Sequence, residues 1–462
     1  MKSLNQKYAA IVRRCFEENI KSGNAALKYM QSSTAVYHGE AVQCLYMPKI
    51  FSREAFEFLE KAAGEICGIL DKVILRYLND AEYRKLFAFS PELEELILTE
   101  AGYSRLLPIA RIDIFFNEDD FSFKFCEFNA DGASAMNEER EINIATRQTD
   151  AFNEMSKEYE LQSFELFDSW VSEFTDIYAD YCINNKNAVS NPRIVITDFM
   201  DNATVNEFLM FKKAFEKAGY NTEICEIRDL VYSDGILKTP DGKKTDAIYR
   251  RAVTCDVMRH KDDVKPFLQA VRDGAVCVIG HFRTQIIHNK SVFKILRMPE
   301  TLQFLTEDEQ QYVLRHIPET LPLNKENINA FEVIKNKNDW IIKPEDLYGA
   351  RGVFAGVDMD GDAWAKAVAQ SADTGYILQR FCTPYKSKNL NFNNSPHPEF
   401  EMYNNITGLF VYNGKLAGLY SRAGQMGTIS SHSRGLTLAS LVAIGASCDT
   451  VSASFSEHAK SS

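Results

Sequence analysis

The chain has 462 residues, of which 45% are hydrophobic and 25% are charged. These fractions are ordinary for a folded globular protein, and they exclude collagen-like, coiled-coil and wholly disordered classes. The 52 basic and 64 acidic residues give a formal net charge of −12. An acidic chain is repelled by phosphate backbones and anionic lipid surfaces, which argues against a nucleic-acid or membrane binder. A locally basic pocket for a small anionic ligand remains compatible with this charge.

No targeting or membrane segment is evident in the sequence. Residues 1–14 contain no apolar core of signal-peptide length, and the longest apolar stretch, 436–446, is too short to span a bilayer. The ten cysteines are scattered without a CxxC pair, and the closest histidines, His281 and His288, have a poor spacing for a zinc site. We therefore expect reduced thiols and a cytoplasmic protein with no membrane or nucleic-acid partner.

The first 100 residues predict helices, because apolar residues recur there at intervals of three and four. One helix is expected to begin after Ser52. Another is expected at Ser90-Pro91, where serine caps the helix and proline takes its first position. Two strand-like runs follow, at Pro108–Phe116 and Phe121–Asn129, joined by a polar turn.

Residues 138–186 again predict helices, and alternation of strands and helices from residue 192 predicts a small parallel α/β unit. Within it, Thr204 and Glu207 have the spacing of a capping box at the start of a helix with a phenylalanine stripe. The expected strands are Arg193–Thr197, Thr222–Ile227 and Asp246–Tyr249. No GxGxxG motif is present, so a dinucleotide-binding interpretation has no support.

The last part of the sequence predicts a helix at Asn289–Leu296 and then a strand-rich region. Asn413-Gly414 lies between two apolar runs and predicts a two-residue hairpin turn. Residues 445–462 contain six serines and few large apolar side chains, and we expect a frayed end there.

The two strand-like runs carry the first set of candidate functional residues. Alternate residues of a strand share a face, so Arg111 and Asp113 point together, as do Glu127 and Asn129. A three-residue loop, 118–120, would pair Arg111 with Glu127 and bring all four side chains together. A four-residue loop would separate the two pairs. Carboxylate and amide oxygens on one rigid surface suit Mg²⁺. The alternative is a solvated polar face, but the flanking phenylalanines favour a partly buried site.

A second set of residues indicates a nucleotide. The apolar run at 340–344 delivers Lys343 to a loop containing Gly349 and Gly352, whose backbone N–H groups can approach phosphate oxygens closely. This is not a Walker A motif. The run Tyr376–Phe381 can present its backbone to an adenine edge, and Lys290 lies at a predicted helix start. Each signal is weak alone: a plain loop or a core strand reaching the surface explains it equally well.

Taken together and in this order, these sets resemble the ATP-grasp ligases of the glutathionylspermidine synthase type, over about residues 100–435. In that family the metal-binding strand pair precedes the nucleotide-binding lysines, a circular permutation of the usual ATP-grasp order. The most specific match is the run from Glu127 to Ser134, EFNADGAS. Gly132 and Met136-Asn137 depart from the family's more polar pattern, which puts glutathione as the acid substrate in doubt.

The resemblance implies an α/β ATP-grasp fold with a small Rossmann-like pre-ATP-grasp domain. Residues 1–190 would form a helical region carrying the metal-binding hairpin at 108–129, which belongs to the ATP-grasp core. Residues 191–285 would form the pre-ATP-grasp domain, and residues 286–462 the nucleotide-binding lobes.

The resemblance also assigns roles to single residues. Arg111 would be catalytic and stabilise the transferring phosphoryl group. The metal ligands would be Asp113, Glu127 and Asn129, and the substrate contacts Ser134 and Glu138. The nucleotide-binding residues would be Lys290, Lys343, Gly349, Ala350, Arg351, Gly352, Gln379, Arg380, Phe381 and Arg422.

The implied function is an ATP-dependent carboxylate–amine ligase that uses Mg²⁺ and forms an amide through an acyl phosphate. No side-chain nucleophile is required, which agrees with the lack of a defensible catalytic triad in the sequence. The substrates would be a small acid, such as a peptide, and a polyamine or other amine, and a homodimer is compatible with the family. The alternatives are a catalytically degraded nucleotide-binding regulator and an ATP-grasp phosphotransferase. The intact Arg-Asp-Glu-Asn set argues against degradation.

Overall fold

The computed structural model describes residues 1–37, 39–186, 188–201, 203–326, 328–429 and 435–446. Its helices, in chain order, are α1 Lys2–Arg14, α2 Phe16–Ser32, α3 Arg53–Asn79, α4 Ala81–Arg84, α5 Pro91–Leu98, α6 Met136–Thr146, α7 Asp150–Met155, α8 Asp168–Asn184, α9 Val205–Lys217, α10 Thr254–Arg259, α11 Lys265–Arg272, α12 Gln285–His288, α13 Val292–Leu296, α14 Pro299–Leu302, α15 Glu307–His316, α16 Ala330–Lys335 and α17 Gly361–Ser371.

The strands, in chain order, are β1 Val36–Tyr37, β2 Glu40–Ala41, β3 Lys49–Ser52, β4 Ile109–Phe116, β5 Phe123–Asn129, β6 Tyr159–Gln162, β7 Ile194–Asp198, β8 Thr222–Glu226, β9 Val231–Ser233, β10 Ile236–Lys238, β11 Ala247–Arg250, β12 Cys277–Ile279, β13 Thr320–Pro322, β14 Trp340–Pro344, β15 Phe354–Ala355, β16 Tyr376–Arg380, β17 Lys386–Asn389, β18 Glu401–Tyr412, β19 Lys415–Gly424, β20 Leu436–Leu438 and β21 Ser440–Ala446. The predicted order of helical, α/β and strand-rich regions is therefore present.

The largest sheet is antiparallel, with strand order β20-β19-β18-β4-β5 and β17 paired with β18. The predicted turn at Asn413-Gly414 joins β18 to β19, and both residues have the positive φ values, 48° and 82°, that a two-residue hairpin requires. Helix α3 packs against β18 and β19. Its start is confirmed, because the Ser52 hydroxyl accepts the Ala55 N–H at 3.2 Å. Ser90 caps α5 in the same way.

A second sheet is parallel, with strand order β12-β11-β7-β8. The phenylalanine stripe of α9 is fully buried against it, as the periodicity predicts. The predicted capping box is wrong. Thr204 makes no side-chain cap bond, and Glu207 binds Arg251 and the backbone N–H groups of Ala135 and Asn137. A buried guanidinium attracts the carboxylate more strongly than the N-cap backbone does.

Two smaller sheets complete the frame around the site. Strands β13-β16-β14-β15 form an antiparallel sheet whose core, with Trp340, Trp364 and Leu378, also contains side chains of α16 and α17. Strand β21 lies between β3 and β6, and α1 packs on this sheet. Across the described residues, no helix is long and apolar enough to cross a membrane.

Two sequence-based expectations need correction or lie outside the described residues. The helix predicted at Asn289–Leu296 is broken, because α12 ends at His288 and α13 begins at Val292. Asn289 is extended between them, and its side chain accepts the Ser291 N–H at 2.9 Å. Most of the serine-rich end at 445–462 lies outside the described part of the chain. The cysteines that the structure describes are free thiols.

Candidate functional site

A β-bulge places the four candidate residues of the β4–β5 hairpin on one face. Nearest the turn, Phe116 pairs with Phe123 and Ile114 with Phe125. Continued unchanged, this register would pair Asp113 with Cys126 and turn Glu127 to the other face. The ladder slips by one residue at Cys126, so that Asp113 lies opposite Glu127 and Arg111 opposite Asn129. Neither of the two loop lengths left open by the sequence gives this register unchanged: Arg111 pairs with Asn129 and not with Glu127, and the bulge places the four side chains on one face.

Asp113 is completely buried between two guanidinium groups. Its Oδ1 accepts Arg111 Nε at 2.9 Å, and its Oδ2 accepts Arg111 Nη2 at 3.2 Å and a hydrogen bond from Arg422. The ring of Tyr420 lies beneath both guanidiniums, with its centroid 5.5 and 5.6 Å from their Cζ atoms. Asp113 therefore holds both arginines in place beside the Tyr420 ring.

Glu127 is the acidic centre of this face. Burial raises the pKa of its carboxyl, but Lys290, Lys343, Arg422 and Arg111 outweigh burial and lower the pKa to about 2. The carboxylate is therefore ionised at neutral pH. Asn129 Nδ2 donates to Glu127 Oε1 at 3.3 Å and to Asp113 Oδ2 at 3.3 Å, so the Asn129 side chain bridges the two carboxylates.

Lys343 links the small antiparallel sheet to the large one. Its ammonium donates to the Cys126 carbonyl at 3.0 Å and to Gln379 Oε1 at 2.8 Å. Cys126 is the bulged residue with no partner opposite it in the β4–β5 register. The bulge thus aligns Glu127 and also offers a main-chain acceptor that positions the lysine of the other sheet.

Lys290 approaches the same face from the segment between α12 and α13. The residue is buried, and its ammonium donates to the Leu347 carbonyl at 2.6 Å. Burial lowers the pKa of Lys290, and the charge of Glu127 opposes this effect. Residues separated by more than 150 positions in the sequence therefore lie together around Glu127.

The glycine loop after Lys343 covers one side of the site. Gly349, Ala350 and Gly352 have positive φ values of 67°, 55° and 70°, so the loop turns through left-handed conformations. The Tyr348 hydroxyl donates to Asp256 at 2.8 Å, which ties the loop to α10. Arg351 is exposed, with its guanidinium 5.5 Å from the Tyr348 ring centroid.

The predicted adenine-side residues divide between two faces of β16. Gln379 is buried and contacts Lys343. Arg380 points the other way, where it pairs with Glu319 at 3.1 Å and stacks on Trp340 with a Cζ–centroid distance of 4.1 Å. Phe381 follows the strand, and its N–H donates to the Asp339 carbonyl at 2.8 Å. The structure therefore brings Gln379, but not the Arg380 side chain, to Lys343.

The loop 131–135 that follows the hairpin is held by two buried ion pairs that the sequence analysis missed. Arg250 and Asp131 pair at 2.6 Å with side chains 0% and 2% exposed. Arg251 pairs with Glu207 at 2.8 Å and also donates to the Ala133 carbonyl. The only sequence signal for these residues is the Arg-Arg dipeptide at the carboxyl end of a strand, and its partners lie more than 40 residues away.

The residues that depart from the family pattern have structural roles here. Asn137 donates to the Thr34 carbonyl at 2.9 Å and to its hydroxyl at 3.1 Å, which holds the segment preceding β1 and its Tyr37. Met136 is fully buried. Ser134 accepts Arg111 Nη1 through its carbonyl at 2.9 Å, and Glu138 accepts a hydrogen bond from Tyr420.

Gly132 is expected to be essential for the packing of this loop. Its φ is +64°, and a Cβ there would lie 2.7 Å from Val253 Cγ1 and 2.8 Å from the Arg251 carbonyl oxygen. We expect Gly132→Ala to lower the free energy of unfolding by about 1–3 kcal/mol, because the substitution adds left-handed strain and a backbone clash. The control is Gly68→Ala on the open surface of α3, which should stabilise by about 0.5–1 kcal/mol. Denaturant unfolding measures both, and equal effects would contradict the prediction.

One cavity of about 220 Å³ collects most of these groups. Its walls include Arg111, Glu127, Asn129, Asp131, Ser134, Glu138, Arg251, Asp256, His288, Lys290, Lys343, Gly349, Ala350, Tyr420 and Arg422. The hairpin and β19 supply one wall, the small sheet and glycine loop another, and the ends of the parallel strands a third. The cavity is cationic around Glu127 and carries acidic side chains beside α10.

The oxygen donors of the cavity fit a hard cation. Glu127 and Asn129 reach the cavity wall, and Asp113 lies directly behind them. Carboxylate and amide oxygens are ligands that Mg²⁺ accepts, especially when phosphate oxygens complete the shell. Within the described ranges, no group of three or more His, Cys, Asp or Glu side chains is placed to hold a metal. Any metal here would depend on a bound anion for its remaining ligands.

The sequence matches no family model and is similar to no curated protein. The structure is similar to that of a glutathione synthetase-like effector, GSS30, from Globodera pallida in its apo form, with a TM-score of 0.59. The chain has a glutathione synthetase-like fold. The match covers 91% of this chain and 96% of the effector at 12% sequence identity, so it shows the fold alone.

The glutathione synthetase-like fold confirms the coarser part of the sequence-based expectation, a mixed α/β, ATP-grasp-related architecture with several sheets. The glutathionylspermidine synthase type, the circular permutation and the domain boundaries stay predictions.

Proposed function

We propose that this chain is an ATP-dependent carboxylate–amine ligase that forms an amide through an acyl phosphate. The observation that carries the proposal is the convergence of Arg111, Glu127, Lys290, Lys343 and Arg422 on one cavity. Cations beside hard oxygen donors, in a partly enclosed space, suit a nucleoside triphosphate and its magnesium ion. The glutathione synthetase-like fold supports the ligase class.

The first step would transfer a phosphoryl group to the acid substrate. Lys290 and Lys343 bind the nucleotide phosphates, while Glu127 and Asn129, with Asp113 behind them, would hold Mg²⁺, which supplies charge neutralisation when bound. An oxygen of the substrate carboxylate attacks the γ-phosphorus, the bond to the bridging oxygen breaks, and ADP leaves. Arg111 and Arg422, held in place by Asp113, stabilise the charge on the transferring group.

The second step would join the amine. The amine nitrogen attacks the acyl carbon, the bond from that carbon to the phosphate oxygen breaks, and inorganic phosphate and a proton are released. Positioning and charge neutralisation carry both steps, so the protein supplies no nucleophile. Because an acyl phosphate hydrolyses in water, the Tyr348–Asp256 hydrogen bond that ties down the glycine loop helps to exclude solvent.

The finer assignment follows the family resemblance. A peptide acid would contact Ser134 and Glu138 in the cavity wall, and the amine would be a polyamine or another amine. The net charge of −12 favours the approach of a cationic amine. A phosphotransferase would share the first step and lack the second.

The proposal is tested with purified protein, Mg-ATP and a matrix of small acids, peptides and amines. We expect phosphate release that requires both an acid and an amine, and a product whose mass is their sum minus one water. If a stable phosphorylated acid forms in the absence of amine, the enzyme is a phosphotransferase and not a ligase. Nucleotide binding without turnover for any pair would favour a regulator.

A further inference from the structure

His288 presents an unsatisfied imidazole to the cavity. It ends α12 two residues before Lys290, is 5% exposed and lines the cavity wall. Neither ring nitrogen has a hydrogen-bond partner among the residues that the structure describes. Buried polar groups are nearly always paired, because an unpaired group loses its hydration without compensation. A buried imidazole on a cavity wall therefore points to a ligand that supplies the missing partner.

Two neighbouring polar groups share this property. The Ser291 hydroxyl and one carboxylate oxygen of Asp346 are buried and have no partner within the described ranges. The charge of Asp346 acts on both His288 and Lys290, so Asp346 lies near both, and Ser291 directly follows Lys290 in the chain. Their clustering makes an isolated packing defect at His288 a poor explanation.

The charges that act on the ring locate it within the cavity. They belong to Asp131, Lys290, Asp346 and Glu127. Lys290 and Glu127 lie at the end of the cavity that we propose binds the nucleotide phosphates. Asp131 begins the loop that carries Ser134, at the end proposed to bind the acid substrate. His288 therefore lines the cavity within reach of charges from both ends.

The ring is suited to this place because it is neutral. Burial lowers the pKa of His288; the charge of Asp131 opposes this and that of Lys290 adds to it. A neutral imidazole carries one N–H donor and one acceptor nitrogen. It can donate to a phosphate oxygen without adding another positive charge beside Lys290, Lys343 and Arg111.

We propose that His288 binds the γ-phosphate of the nucleotide, donating a hydrogen bond from its imidazole to the phosphoryl group that is transferred. The inference rests on the proposed function and adds to it a residue that binds the phosphoryl group during its transfer. It commits to the γ-phosphate rather than to the adenosine or the β-phosphate, because the charge of Asp131, which begins the loop that carries Ser134, acts on His288 beside that of Lys290.

The test compares the affinities of the full chain for two Mg-nucleotides, the non-hydrolysable β,γ-imido analogue of ATP and ADP, by calorimetry. We expect His288→Leu to weaken binding of the ATP analogue by about 10-fold to 100-fold, the range of a lost hydrogen bond to a charged group. ADP affinity should stay unchanged. His288→Asn, which keeps a donor on a shorter side chain, should lose less. The matched control is His397→Leu at an exposed position, which should change neither affinity.

A measurement on the wild-type protein keeps the inference testable if the variants fold poorly. With ¹⁵N-labelled histidine, the ATP analogue should shift one ring-nitrogen signal that ADP leaves in place, and that signal should be missing in His288→Asn. Equal loss of both affinities, or no loss of either, overturns the inference while leaving the proposed function intact. Wild-type protein that binds neither nucleotide overturns the proposed function and this inference with it.

Discussion

We expect the Glu127→Gln variant to lose ATP-dependent turnover by about 100-fold or more, the scale seen when one preorganised electrostatic group is removed from a reaction centre. Glutamine keeps the shape of the side chain but removes the negative charge that Lys290, Lys343, Arg422 and Arg111 surround. Without that charge, the proposed metal site would lose the one carboxylate ligand that lines the cavity beside Asn129. The half-buried position of Glu127 lets the variant remain folded.

The measurement is phosphate release with the acid and amine found in the substrate screen, and circular dichroism checks the fold. The matched control is Glu54→Gln on the exposed first turn of α3, which should leave turnover unchanged. Near-normal turnover in Glu127→Gln would show that this carboxylate does not hold the metal. Asp113 is a poorer test, because it is fully buried between Arg111 and Arg422 and its replacement would also disturb the fold.

The Asp131→Leu variant should be destabilised by about 3–5 kcal/mol, the usual cost of leaving one member of a buried ion pair without its partner. Asp131 accepts Arg250 Nη2 at 2.6 Å and also the Thr254 N–H. Both side chains of the pair are essentially inaccessible to water. Loss of the carboxylate would therefore leave a buried cation at the junction of the parallel sheet and the loop 131–135.

Denaturant unfolding of Asp131→Leu, of Arg250→Met and of the double variant Asp131→Leu/Arg250→Met measures this effect. The double variant should recover part of the lost stability, because it removes the unpaired guanidinium as well. If the single variant unfolds at the same denaturant concentration as the wild type, the pair does not contribute in solution. If the loss in free energy of unfolding of the double variant exceeds the summed losses of the two single variants, the charge-compensation argument is wrong.

Local signals in the sequence predicted the parts of the fold that depend on neighbouring residues. Ser52 and Ser90 cap helices where expected, because an N-cap hydroxyl satisfies N–H groups two or three residues away. Asn413-Gly414 forms its turn because both residues tolerate positive φ. The phenylalanine stripe of α9 is buried as its spacing predicts.

Structural features that depend on residues distant in the chain were predicted less well. Glu207 has the spacing of a capping box, but Arg251 and the start of α6 engage it instead. Arg380 follows Gln379 directly, so strand alternation places their side chains on opposite faces, and only the tertiary structure shows that Gln379 is the one that contacts Lys343. His288 gives no distinctive signal in the sequence, because a lone histidine near a lysine is common.

The sequence by itself determined which residues of each strand share a face. Strand alternation places Arg111 with Asp113 and Glu127 with Asn129. Only the tertiary structure decided whether the two pairs meet. Their common face depends on the bulge at Cys126, and the Cys126 carbonyl accepts a hydrogen bond from Lys343 of another sheet. A one-residue slip reverses the faces of a strand. Alternation does not predict this slip, because the lysine that binds the bulged residue Cys126 lies 217 residues away in the chain.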